Sequence, residues 1–370
     1  MALFADSDPV SRPRRSRGST IGWSLILLAM LVTLVVAVVP SPYVIEQPGP
    51  VFNTLGQVEV GGEEVPMIEI ADATTYPTGG SLDMLTVSIN GNRDNRLNWF
   101  QVASAWLDSS KAVVPLDSVY PEGVTVEQSN EQSQTDMQNS QQEAIAAALT
   151  QLDYDFTTSL EVVDVGEGTP ASGQLETGDM IVSVNGETFT DVTGLKATIA
   201  ENGVDTPATV VIERDGAEQT LAVTPVMSGG TASAPIVGIT VKGDFTFPID
   251  VTIQLEKVGG PSAGQMFALG IIDKLTPGEL NGGKNVAGTG TITGDGTIGP
   301  IGGIRQKMYG AVRSGADYFL APVDNCDEVV GHVPDGLDVF AVTTLDDSLA
   351  VLDAVSTGGS TAALPTCEAG

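Results

Sequence analysis

The chain has 370 residues, 47 acidic against 16 basic side chains for a net charge of −31, and 42% hydrophobic residues. That length allows two or three folded units, the hydrophobic content excludes wholesale disorder, and the acidic excess excludes the clustered positive face that nucleic-acid phosphates need. Two cysteines, Cys326 and Cys367, and one histidine, His332, exclude a disulfide scaffold, a Cys- or His-rich metal centre, and any catalytic triad that does not use His332.

Residues 1–20 carry Arg12, Arg14, Arg15 and Arg17 against Asp6 and Asp8 and read as a basic tail. Ile21–Val39 follows with no charged residue, and at ~1.5 Å per residue it spans about 28 Å, close to the hydrocarbon thickness of a bilayer. The positive-inside rule then predicts a retained transmembrane helix, with the tail cytoplasmic and everything after Pro40 outside. A cleaved signal peptide is the alternative, but its apolar region would be shorter and followed by a small-residue cleavage site. Outside the membrane Cys326 and Cys367 could pair, a staple of ~4 kcal/mol in the chain-entropy picture; two unlinked thiols are the other state.

Residues 40–64, rich in Pro and Gly, are predicted to form an extended stalk. VPMIEI and LDMLTVSI, within 65–90, alternate apolar residues between turns and read as strands. NRLNWFQVASAWL is predicted helical, and the polar stretch up to Thr135 is predicted to be a surface loop. SQQEAIAAALTQL is a predicted helix, with Ser140 as N-cap, Glu143 completing a capping box, and Ala144, Ala147, Ala148 and Leu152 on the buried face.

From 157 to 228 short strands, one short helix (DVTGLKATIA) and small-residue turns predict a compact β-rich module, closed by the hinge SGGTASAP. FPIDVTIQLEKV is a half-buried strand with Val251, Ile253 and Leu255 inward. It leads through GGPSAG into the apolar helix QMFALGIIDKL. Then come the strand-like NVAGTGTI, the turn GDGTIGPIGG, the helix IRQKMYGAVRSG, and alternating strands and helices ending at LDDSLAVLDAV; the tail 356–370 has low structure.

Three motif matches fail on their context. GELNGGKN has Asn285 where a phosphate-binding loop needs Ser or Thr for Mg²⁺. GDGTIG joins two apolar runs and reads as a hairpin turn, and NGNRDN lacks the spacing and distal Glu of a Ca²⁺ loop. GGPSAG carries more. A strand enters two glycines and Ser262 opens a helix, the local setting of a nucleophile beside free backbone N–H groups; an ordinary N-cap serine has the same setting. GPSAG also fits the nucleophile elbow of α/β-hydrolases, in which His332 would have to complete a Ser-Asp-His triad. The preceding strand is amphipathic, unlike the central parallel strand of that fold.

A serine hydroxyl needs a base, and with His332 poorly placed a desolvated lysine is the next candidate. On the helix starting at Ile304, at ~100° per residue, Met308, Ala311 and Gly315 share the face of Ile304, and Arg305 and Arg313 point outward. Lys307 falls on the shoulder of the apolar face, where burial would favour the neutral amine. The competing reading is a lysine whose stem lies on the core and whose head reaches water.

GPSAG, VAGTGTI, GPIGGIRQK and AVRSGADYFLAP, in this order and with forty-five residues from Ser262 to Lys307, resemble the proteolytic domain of Lon proteases, a Ser–Lys dyad family. TGGSLDMLTVSI resembles the family's first strands and MQNSQQEAIAAA its first helix. The resemblance implies that Ser262 is the nucleophile, Lys307 its base, and Thr289 a support for the lysine amine. Many Lon enzymes carry an acidic residue ahead of the Pro-Ser pair. Here the chain reads Val258-Gly259-Gly260, and Gly260 is taken as a supporting position. GTPASGQLETGDMIVSVNG resembles a bacterial PDZ domain, although LDYDFTTS lacks the glycines of a carboxylate-binding loop.

The expected fold is therefore α+β: a single transmembrane helix (21–39), a stalk (40–64), a Lon-type proteolytic domain in two parts (65–152 and 245–355), and an inserted PDZ-like domain (153–232). This arrangement resembles the membrane-anchored PDZ–Lon proteins of Gram-positive bacteria. It implies an extracytoplasmic serine endopeptidase with no cofactor and no ATPase module, acting on unfolded or extended protein segments that the PDZ domain presents; whether the chain assembles into the family's hexameric ring is left open by the sequence. The competing reading is a catalytically silent PDZ scaffold at the membrane.

Overall fold

A computed structural model describes residues 17–120, 125–189, 192–228, 234–255 and 258–368. The basic tail to residue 16 and the hinge residues 229–233 lie outside the described residues. The chain divides into two compact units, Met1–Ile45 with Ile89–Glu122, and Glu46–Ser88 with Gly123–Gly370. Residues 89–122 thus separate from the rest of the expected protease segment 65–152.

In the first unit Arg17–Val38 is one helix, and Trp23 and Met30 on it are exposed. Among the described residues no helix is long and apolar enough to cross a membrane, so the structure does not support the transmembrane span expected over 21–39. Trp99–Ala105 is helical, as expected, and opens on a capping box between Asn98 and Gln101. Ile45, Leu97, Val102 and Ala105 form a small core beside the edge-to-face pair Tyr43–Trp99. The stretch read as loop contains a strand, Ala112–Pro115, and a short helix, Leu116–Val119.

The second unit is built on Asp338–Val342, Tyr318–Pro322, Asn285–Gly288 and the greater parts of Ser81–Asn90 and Tyr43–Asn53, in that order across the sheet. The first four pair in parallel, with Val286 opposite both Leu82 and Tyr318. Period-two alternation sorts their side chains into two cores. Leu82, Met84, Val286, Leu320 and Phe340 face one way, against Met266 and Phe267 of the helix Gly264–Leu275 and Ala144, Ala147 and Ala148 of the helix Val126–Gln151. Leu85, Ala287, Phe319, Ala321 and Val339 face the other, against Ile304, Met308 and Ala311 of the helix Ile304–Ser314. Helices thus cover both faces of a parallel sheet. The class is mixed α/β, more interleaved than the α+β expectation.

Four boundaries differ from the sequence reading. The expected stalk contains a sheet strand, Tyr43–Asn53, and a hairpin, Gln57–Val60 with Glu63–Pro66. The long helix begins at Val126, capped by Thr125 with Gln128, so Ser140 and Glu143 lie in its interior. Gly315 does not belong to the buried stripe: it is exposed and ends its helix at φ 86°, a left-handed C-cap. The C-terminal tail is tied down, by the disulfide Cys326–Cys367 and by the Ala341 N–H donating to the Pro365 carbonyl at 2.9 Å.

The β-rich module is a five-stranded antiparallel sheet in the order Ala217–Val223, Ala208–Arg214, Met180–Val184, Thr157–Val165, Ile239–Thr246. Its core packs Leu195 and Ile199 of the helix Val192–Asn202 with Leu160, Val162, Ile181 and Val210. Its edge strand, Ile239–Thr246, comes from beyond the expected end at 232. Buried Asp179 receives Arg214 Nε and Nη2 at 2.6 and 2.7 Å, a bidentate pair that holds its carboxyl below the usual range and fixes the Gly178-Asp179 turn. Asp250–Ile253 then pairs antiparallel with Ile68–Ala71.

Candidate active site

The two residues singled out by the sequence reach the site from opposite faces of the sheet. Ser262 sits in the turn just before the helix Gly264–Leu275, which packs on one core. Lys307 sits in the first turn of Ile304–Ser314, which packs on the other. They meet beyond the carboxyl end of Asn285–Gly288, where Thr289 continues the strand. Open α/β sheets place their ligand sites at this end, because loops from both faces converge there.

Gly264 is required by close approach. A Cβ at this position would lie 2.7 Å from Ile292 Cγ2 and 2.9 Å from Ser140 Oγ, so only glycine lets the helix start this close to its neighbours. Gly260 is required by its backbone, at φ 87°. Its N–H is spent on the Ser133 carbonyl at 2.7 Å, so its support to Ser262 lies in the path of the chain. At the start of the helix that follows Ser262, the Gln265 N–H donates to the Gly290 carbonyl at 3.2 Å and the Met266 and Phe267 N–H groups turn back to the Ala263 carbonyl at 3.0 and 3.1 Å, so the N–H groups next to Ser262 that stay outside these bonds are those of Ala263 and Gly264.

Lys307 is only 2% exposed, and its Nζ stands 2.8 Å from Ser262 Oγ and 2.8 Å from Thr289 Oγ1. Burial alone drives its ammonium toward the neutral form, pulling the pKa from 10.5 down to about 7. The proton inventory then assigns directions. The Thr289 hydroxyl donates its one proton to the Ser262 carbonyl at 2.9 Å, so toward the amine it can only accept. A neutral amine has two protons and one lone pair. With one proton given to Thr289, the lone pair is left for the Ser262 hydroxyl. The Ser262 carbonyl also accepts from the Gly290 N–H at 3.0 Å, which ties the serine backbone to the strand end.

A cleft of about 390 Å³ opens on these groups, lined by Met84, Thr86, Met137, Val258, Ala263 and Gly302 among others. Among the described residues Lys307 is the one charged residue in its lining. His332 is absent from it: the ring is exposed, with Nδ1 3.0 Å from the Val330 carbonyl in its own turn. The triad reading through His332 therefore has no geometric basis. The loop that resembles a phosphate-binding motif is a tied turn, in which Asn281 Nδ2 donates to the Ser81 and Lys284 carbonyls. GDGTIG forms the hairpin turn between Thr291–Ile292 and Ile298–Gly299.

Sequence reasoning missed three contributors. Ser140 and Glu143, read as cap residues, reach instead to the Pro261 carbonyl and the Gly294 N–H, at 2.8 and 2.7 Å. The signal was available: both sit near the alanine face, and a polar group on a buried face needs a partner. Buried Asn325 clamps the N–H and the carbonyl of Ile301, both at 2.9 Å, next to Gly302 in the cleft wall.

Thr289→Val keeps the shape of Thr289 while removing both its acceptor and its donor. It is expected to lower kcat on any substrate of the site by ~10- to 100-fold, since misorientation of a reacting pair costs about that much. Thr289→Ser should restore most of the rate. Steady-state kinetics of the two variants checks this.

Comparison with known proteins gives two family matches. Residues 254–354 match the Lon protease (S16) C-terminal proteolytic domain, and residues 123–224 match the PDZ domain. Over 94 residues the chain is 39% identical to Lon protease 1 of Sorangium cellulosum, covering 25% of this chain and 11% of that protein. It is also 39% identical over 94 residues to Lon protease of Azospirillum brasilense, covering 24% and 11%. The chain thus spans about a tenth of the length of these relatives. Among solved structures, the PDZ domain of the SdrC-like protein from Listeria innocua aligns at 20% identity over 22% of this chain and 92% of that one, with a TM-score of 0.21. The Lon matches support a serine peptidase.

Proposed function

We propose that the chain is a serine endopeptidase that works by a Ser262–Lys307 dyad without ATP. The observation that carries this reading is the Lys307 amine, buried with no carboxylate partner among the described residues and 2.8 Å from the Ser262 hydroxyl. Neutral Lys307 takes the proton of Ser262 as Oγ attacks a peptide carbonyl. The developing oxyanion is met by the backbone N–H groups around Ser262, ahead of the bonded turn that begins at Gln265. Lys307, now an ammonium, returns its proton to the leaving amine. The resulting acyl-enzyme is hydrolysed by water that gives a proton to the Lys307 amine, which passes it to Ser262 Oγ as the acid product leaves. The cleft wall mixes polar groups with the side chains of Met84, Met137 and Val258, against which an apolar side chain next to the scissile bond can pack.

A chain segment must be extended to enter such a cleft, so the substrates are unfolded or loosely folded proteins. The PDZ-like module supplies a docking groove of about 280 Å³ between the helix Val192–Asn202 and the edge strand Ile239–Thr246, lined by Leu195, Ile199, Val237 and Val241 among others. An extended segment adds there as a further strand. Membrane anchorage through residues 21–39, with the catalytic unit outside the cytoplasm, belongs to the same proposal. Its support is the uncharged run, the flanking arginines, and the exposed apolar side chains Trp23, Leu27 and Met30.

A fluorophosphonate probe followed by peptide mapping separates this reading from a silent scaffold. The expected result is a single adduct on Ser262, lost in Ser262→Ala. A chain that stays unlabelled from pH 6 to pH 10 contradicts the enzyme.

A further inference from the structure

The helix Val126–Gln151 touches the turn that carries Ser262 at points on one face. The Ser133 carbonyl accepts the Gly260 N–H at 2.7 Å, Met137 lines the cleft, and Ser140 Oγ donates to the Pro261 carbonyl at 2.8 Å. Steps of four and three residues keep these positions in line along the helix. A serine inside a helix ordinarily bonds back to the preceding turn or faces water. Ser140 is 4% exposed and sends its proton across to another segment, onto the peptide immediately ahead of Ser262. From the far side, the Ser262 carbonyl is held by Thr289 Oγ1 and the Gly290 N–H. The serine is thus gripped before and after its own Cα, by a helix on one side and a strand end on the other.

We infer that Ser140 is a positioning residue for Ser262: its bond to the Pro261 carbonyl sets where the nucleophile's Oγ stands relative to the Lys307 amine and the cleft. The inference rests on the proposal that Ser262 attacks the substrate. Pro261 has no N–H of its own, so its carbonyl is the one polar handle by which that residue can be fixed. The Ser140 hydroxyl fills that handle. Without it the turn pivots about Gly260, whose φ lies where glycine backbone is most permissive.

The test uses the full chain, a fluorogenic peptide with an apolar residue before the scissile bond, and the fluorophosphonate probe. For Ser140→Ala, kcat and the rate of Ser262 labelling should both fall ~10- to 100-fold with KM changed less than ~3-fold, the pattern of a displaced nucleophile in an intact cleft. The acid-limb midpoint should stay at its wild-type value, because the burial of Lys307 is untouched. Ser140→Cys, a weaker donor of similar size, should fall between the two, and measuring all variants well below their thermal midpoints removes any contribution from unfolding. Wild-type kcat in Ser140→Ala, or equal losses in the Ala and Cys variants, overturns the positioning role. Ser262→Ala run alongside distinguishes the two levels. If it retains turnover, the dyad reading falls and this inference with it; if it is inactive while Ser140→Ala is unimpaired, this inference alone fails.

Discussion

Lys307→Met is expected to abolish peptide hydrolysis, by at least ~10³-fold, and at the same time to make the protein more stable below pH 7. The loss follows from the proposed dyad: among the described residues no other basic side chain lines the cleft, and an unassisted serine hydroxyl is a poor nucleophile. The gain follows from linkage. In the unfolded chain lysine keeps its proton up to 10.5, whereas folded Lys307 releases it near 7. Between those values the unfolded state binds more protons, so stability rises with pH, and below about 7 the full cost of burying the amine is present. A drop from 10.5 to about 7 corresponds to ~5 kcal/mol. Methionine fills similar space without the charge but forfeits the contacts to Ser262 and Thr289, which leaves a net gain of ~2–4 kcal/mol at pH 6. Urea denaturation at pH 6 and pH 9.5 checks this: the advantage of the variant should be large at the lower pH and shrink at the higher one. A variant less stable than wild type at pH 6 contradicts it.

The second large effect is on the pH dependence of turnover. Since the neutral amine is the active form, kcat/KM should rise tenfold per pH unit below about 7 and level off above it. An exposed lysine titrating at its ordinary value would leave ~0.1% of the enzyme active at pH 7.4 and push the plateau beyond pH 10. Lys307→Arg should be inactive across the whole range, because a guanidinium does not deprotonate in proteins.

How much of this was legible in the sequence depends on whether the governing interactions were local. Local signals marked Ser262 and Lys307 only as candidates, a strand running into Gly-Gly-Pro-Ser and a lysine on the shoulder of Ile304, Met308 and Ala311, each with an ordinary structural reading beside it; that the two belong together was what the resemblance to the Lon proteolytic domain implied. Pairing of Cys326 with Cys367 was left open and is present. The strand Tyr43–Asn53 was not readable, because Pro48 and Pro50 cannot donate to a ladder and normally argue against a strand. The start of the long helix was misplaced because Thr125 with Gln128 and Ser140 with Glu143 both satisfy the same capping pattern, and 126–139 has almost no apolar stripe to decide between them. That half of the helix is defined by what it touches, through Ser133 and Met137, and such contacts leave no local trace. For the same reason the strand Ile239–Thr246, which completes the β-rich module by pairing with Thr157–Val165 more than seventy residues earlier, was not read as an element, and the module was ended at 232.

The most direct measurement is the titration of the Lys307 side chain itself, followed by NMR on protein with labelled lysine Cε and Nζ, with the resonance assigned from Lys307→Arg. A midpoint near 7, well separated from the other lysines, is the predicted result. A midpoint near 10, shared with the surface lysines, contradicts a buried neutral base beside Ser262.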